Sequence, residues 1–121
     1  VSPPPWPTDL AFDRAARVLN IAFDNGAAFA LPFELLRVES PSAEVHGHGG
    51  KRIWLGGKRG VGVADAAPVG RYAVRIVFDD GHQTGIYSWD FLHRLGLEQD
   101  QRMAAYEAAL AERGLSRDPQ S

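Results

Sequence analysis

The sequence contains no cysteine. That absence excludes disulfides, thiolate nucleophiles, cysteine zinc fingers and cysteine-ligated iron–sulfur clusters. An excess of either charge is also missing: 13 Lys and Arg face 15 Asp and Glu, for a net charge of −2. Dedicated nucleic-acid binders carry a strong basic surplus, so no nucleic-acid partner is expected. No apolar run reaches the length of a membrane span, and no succession of charged, apolar and small residues marks a signal peptide. Neither membrane insertion nor export is expected, and a cytoplasmic location fits the missing cysteine. The chain opens on Val1 rather than Met, so a missing native start is also an expectation.

Catalytic signatures are scarce as well. There is no His-Glu-x-x-His, no histidine followed two positions later by an acid, and no glycine five places before a Gly-Lys-Ser/Thr. Ser88 has no Ser/His/Asp context and reads as a helix cap. What remains is an ordinary globular composition, 45% hydrophobic over 121 residues, enough for one core and not two. Residues 1–121 are expected to form a single domain, with a core at about 6–96 and a C-terminal helix and frayed tail over 97–121.

The opening "VSPPPWP" forms no regular element, because proline fixes φ and removes donors; it reads as an extended arm pinned by Trp6. In the next stretch Thr8 can cap a short helix, while Leu19, Ile21 and Phe23 alternate as a strand does. Two segments then resemble each other. Ile21, Phe23 and Asp24-Asn25-Gly26 match Ile76, Phe78 and Asp79-Asp80-Gly81. After a slip of one residue, Pro32-Phe33-Glu34-Leu35-Leu36 matches Ser88-Trp89-Asp90-Phe91-Leu92. Each copy reads strand, tight turn, strand, short helix, with Pro32 or Ser88 opening the helix. The fold class is therefore α+β: two pseudo-repeated hairpins, each followed by a short helix, plus a C-terminal helix.

The apolar pattern sets the register. A three-residue loop with its glycine in a left-handed bulge pairs Phe23 with Ala27, Ile21 with Phe29 and Leu19 with Leu31. In the second copy the same rule pairs Phe78 with His82, Ile76 with Thr84 and Val74 with Ile86, and turns His82 inward. Seven glycines between Gly47 and Gly62 predict a loop around a short strand near Ile53–Leu55. Further on, "EQDQRMAAYEAALAERG" predicts a helix with Met103, Tyr106 and Leu110 on one face and Gly114 as its stop.

Three sets of residues qualify as candidate sites. A metal site would use His82 with His46, His48 or Asp79, since imidazole and carboxylate hold zinc or iron. The alternative for His82 is a buried imidazole satisfied by hydrogen bonds. A binding surface would use Trp54, Lys51 and Arg52, an aromatic anchor beside two cations in a glycine-rich segment. Trp54 could equally close one edge of the core. Asp79 and Asp80 read as turn residues, because Asp24-Asn25 occupies the same place in the first copy.

The segments "LPFELLRVESPSAEVHGHG" and "VGRYAVRIVFDDGHQTGIYSWDFLHRLG", with the preceding "WPTDL…RVLNIAFDNG", resemble the gamma-butyrobetaine hydroxylase-like N-terminal domain, the DUF971 family, over about residues 6–96. The resemblance implies a β-rich domain of the standalone bacterial type, without the hydroxylase's catalytic iron module, and therefore no enzyme activity. In the hydroxylase branch this domain holds zinc through three cysteines and a histidine; those positions correspond to Ser40, Ser42, Val45 and His82 here. With the thiolates replaced, no cofactor is expected, and a zinc or iron site would have to be rebuilt around His82. The function so implied is a non-catalytic binding or adaptor domain for a protein partner, by family analogy an iron–sulfur carrier ATPase or an oxygenase. The alternative is a metal-ion-binding protein.

Overall fold

The computed structural model describes residues 5–41, 52–83 and 85–118. The chain runs through β1 (Pro7–Asp13), β2 (Val18–Phe23), β3 (Ala28–Pro32), α1 (Phe33–Val38), β4 (Val63–Val69), β5 (Ala73–Phe78), β6 (Gly85–Ser88) and α2 (Trp89–Glu112). It forms two three-stranded antiparallel sheets, β1-β2-β3 and β4-β5-β6. The α+β class holds, and each pseudo-repeat is a three-stranded meander rather than a hairpin. Residues around Thr8 are strand, not helix.

The repeat is geometric as well as sequential. In the first sheet the register shifts between Pro7 and Asp9, opposite Phe23 and Ala22. In the second it shifts between Val63 and Asp65, opposite Phe78 and Val77. A β-bulge thus occupies the same place in β1 and β4, although Leu10 and Phe12 correspond there to Ala66 and Pro68. Both turns carry the expected left-handed glycine, Gly26 at φ 88° and Gly81 at φ 93°.

The first hairpin pairs as the apolar pattern predicts, Leu19 with Leu31 and Ile21 with Phe29. The second departs from it. The Phe78 N–H donates to the His82 carbonyl as expected, yet Val74 lies opposite Tyr87, not Ile86, and Ile76 lies opposite Gly85. One extra residue is therefore taken up between His82 and Gly85. The cause is Tyr87, which is fully buried and donates its hydroxyl to the Leu36 carbonyl, while Ile86 is 46% exposed. Residue 84 itself lies outside the described residues.

The two helices expected after residue 88 are one continuous α2 of 24 residues, capped by the Ser88 hydroxyl, which accepts the Phe91 N–H at 3.1 Å. Residues 52–62 hold no strand; the expected strand at Ile53–Leu55 is instead irregular chain tied to the C-terminal segment. Tyr106 donates its hydroxyl to the Leu55 carbonyl, and the Gly57 and Arg59 N–H groups donate to the Ser116 and Arg117 carbonyls. Residues 116–118 are thus docked, while 119–121, at the end of the tail expected to fray, lie outside the described residues.

Inward residues of both sheets (Leu19, Ile21, Phe23, Val74, Ile76, Phe78 and Tyr87) share one apolar cluster with Leu35 and Leu36 of α1 and Leu92 and Leu95 of α2. Each such side chain contributes about 1.5–3 kcal/mol on burial. A smaller cluster joins Val38, Tyr106 and Leu110, with Trp54 and Met103 against it. The arm is pinned as expected: Trp6 donates its N–H to Asp24, receives the Asp24 N–H on its carbonyl, and packs edge-on against Trp89. No helix of the described residues is long and apolar enough to cross a membrane.

Candidate functional site

Helix α1 has only six residues, and every one of them is buried. A helix this short cannot persist by propensity, so its position comes from its surroundings. Its ionised side chains reach out to four separate segments. Glu34 receives the Arg117 guanidinium at 2.6 and 2.9 Å. Arg37 reaches Asp80 in the β5–β6 turn at 2.7 Å. Glu39, just past the helix, binds Arg52 at 3.1 Å and Arg102 of α2 at 2.7 Å.

The candidate site lies at the C-terminal end of α1. Asp80 accepts from Arg37, from Lys58 at 2.6 Å and from the His82 N–H at 3.1 Å. Desolvation pushes its carboxyl up, but the bonds from Lys58, the His82 amide and Arg37 outweigh it and hold the pKa at about 2. Beside it His82, 4% exposed, sets its Nε2 at 2.9 Å from the hydroxyl of fully buried Ser40. Tyr87 closes the cluster; burial pushes its phenol far up, so the hydroxyl stays protonated and donates to Leu36.

The depressed Asp80 pKa carries a pH prediction. Its folded-state value lies below the ordinary carboxyl value of 3.8, so its contribution is complete above pH 4 and fades as pH falls through about 2. Water screens part of the pair, which leaves roughly 1 kcal/mol. Replacing Asp80 with Asn is expected to flatten the acid limb of stability between pH 4 and pH 2, measured as urea midpoints across that range. An unchanged acid limb would contradict the pairing.

Of the other expected site residues, Asp79 is bonded elsewhere, while Arg52 and Trp54 meet each other. Asp79 accepts the Gly62 N–H at 3.0 Å. Arg52 is engaged with Glu39 and the Val38 carbonyl. Trp54 is half-buried, stacked on Tyr106 with the Arg52 guanidinium 4.2 Å above its ring. Its place is thus at the edge of the smaller core. His46, His48, Lys51, Ser42 and Val45 lie outside the described residues. Sequence reasoning did not find the role of His93. Its Nε2 accepts from the Asn25 amide at 3.1 Å, and its ring meets Phe23 and Phe29 edge-on, which ties α2 to the first hairpin.

The model of the gamma-butyrobetaine hydroxylase-like N-terminal domain matches residues 10–93. The chain belongs to that family. Two proteins with NMR solution structures are similar over nearly their whole length. One is 40% identical, with a TM-score of 0.85, covering 98% of this chain and 94% of the other. The second is 46% identical with a TM-score of 0.82, covering 100% and 93%. A DUF971 protein of unknown function from Acidithiobacillus ferrooxidans, known by crystal structure, is 39% identical with a TM-score of 0.63, over 74% of this chain and 91% of its own. No curated protein matches.

The zinc set that family resemblance implies does not fit the donors present. Among the described residues no three His, Cys, Asp or Glu side chains converge. The position corresponding to a thiolate, Ser40, offers a neutral hydroxyl bonded to the very imidazole that would be a ligand.

Proposed function

We propose that this member of the DUF971 family is a non-catalytic binding or adaptor domain acting in the cytoplasm. The observation that supports it is the closure of the polar cluster. Around α1 the carboxylates bind guanidiniums and the His82 imidazole meets the Ser40 hydroxyl, while Tyr72, Ile86 and Leu97 stay on the surface. Catalytic groups need the opposite arrangement, with perturbed side chains open to a substrate. By analogy within the family, an iron–sulfur carrier ATPase or an oxygenase is the first partner to test. Affinity capture of the tagged chain from its native cell is expected to recover the same protein partner in repeated experiments. Recovery of no reproducible partner would overturn the reading.

A second reading, metal binding through His82 with His46, His48 or Asp79, is favoured by one observation: His82 Nε2 is buried beside Ser40, where the chain leads into the segment that carries His46 and His48. It predicts stoichiometric zinc or iron in protein purified without a histidine tag, and loss of that metal in His82→Ala. Trace metal that is unchanged in the variant would dismiss it.

A further inference from the structure

The outer side of the second sheet stands apart from the buried cluster. Tyr72 is 63% exposed and Ile86 46%. Ile86 lies opposite Arg75 in the β5–β6 ladder, so the two side chains stand together on the outer face. A concavity of about 340 Å3 opens beside them, lined by Pro41, Tyr72, Ala73, Ile86, Phe91 and Arg94 among others. Leu97, 65% exposed, follows Arg94 by three residues and continues its face of α2.

Two guanidiniums stand on this face, Arg75 and Arg94, although the whole chain carries −2. Cations elsewhere are engaged: Arg102 and Arg117 with the buried carboxylates of Glu39 and Glu34, and buried Arg37 with Asp80. Arg75 is exposed and has no ion pair among the described residues. Arg94 has one loose anion, Asp90 at 3.8 Å, with both side chains more than half in water. An apolar floor flanked by available guanidiniums matches the pattern of aromatic and Arg anchors at protein interfaces.

We propose that this face docks an acidic amphipathic segment of a partner protein, its apolar side chains entering the concavity and its carboxylates meeting Arg75 and Arg94. The proposal rests on the adaptor reading and names its surface and the chemistry of the partner. A second copy of this chain suits the face poorly, because an isologous contact brings the same two guanidiniums from each side and supplies no added anion for them. Nucleic acid suits it poorly too, because two guanidiniums are few against a phosphate backbone.

Selection of a random peptide display library against the full chain tests this. Enriched peptides are expected to carry Asp or Glu in excess around aromatic or aliphatic anchors. Their affinity, read by fluorescence anisotropy, should fall about tenfold in Ile86→Glu and about tenfold in an Arg75→Glu/Arg94→Glu double variant, the latter with a flattened salt dependence. Both sets of residues are exposed, and unchanged thermal melting verifies that the variants fold. Basic or uncharged winners, no winners, or binding indifferent to these variants would overturn the proposal. So would self-association of the wild type that Ile86→Glu abolishes. Cellular capture that persists in Ile86→Glu removes this surface and leaves the adaptor reading standing; absence of capture by the wild type removes the adaptor reading itself.

Discussion

Replacing Gly96 with Ala is expected to destabilise the protein by about 2 kcal/mol, against the usual sign for a glycine inside a helix. Glycine in mid-helix ordinarily costs up to about 1 kcal/mol relative to alanine, so the exchange normally stabilises. Here a Cβ on Gly96 would come within 2.2 Å of the Phe29 ring. That ring has little freedom to retreat, because it packs against Phe23 at 6.3 Å and His93 at 5.7 Å between centroids. Overpacking of about 3 kcal/mol therefore exceeds the gain in helix propensity. Thermal or urea unfolding measures it directly. A stabilised variant would show that Phe29 swings aside freely. Adding Phe29→Ala to Gly96→Ala should relieve the clash, so the double variant should lose less than the sum of the two single losses.

The second large effect is expected at Glu39. This carboxylate is 3% exposed and lies between two guanidiniums, Arg102 at 2.7 Å and Arg52 at 3.1 Å. Truncation to Ala removes the shared anion and leaves two half-buried like charges facing each other, at a cost of about 3 kcal/mol. Glu39→Gln retains the shape and some hydrogen bonding, so it should lose less. A double-mutant cycle with Arg102→Met isolates the pair; a coupling energy near zero would show that packing, not charge, gives Glu39 its weight.

The sequence made some of this architecture legible and hid the rest for physical reasons. In the first hairpin Leu19, Ile21 and Phe23 alternate with smaller or polar residues, so only one register buries them. In the second, Ile86 and Tyr87 are adjacent and both apolar, so alternation cannot choose between them. The choice falls to the Tyr87 hydroxyl, which finds its acceptor on Leu36, 51 residues away. The one-residue slip that aligns Pro32 with Ser88 carries the same information, because the inserted residue lies in the strand between turn and helix. The strand pair β1 and β4 escaped notice as a repeat because the two share a bulge and not side chains. Gly96 read as a boundary and proved to be a contact.

The candidate site shows the same division. The inward turn of His82 followed from the hairpin rule, whereas its pairing with Ser40 depends on where α1 ends. The ion pairs that fix α1 join residues 43, 63 and 83 positions apart, and no local periodicity reports such distances.

The buried α1 also limits how the protein can come apart. Each meander resembles the other, yet the helix between them cannot stand alone and is held from the β5–β6 turn, the irregular chain after residue 51, α2 and the tail at once. The duplication is therefore a relationship of shape and not of independence: a polypeptide ending after the first meander should remain unfolded. In hydrogen exchange the α1 amides should open only with the whole molecule, with protection that matches the global unfolding free energy, although this is the shorter of the two helices among the described residues.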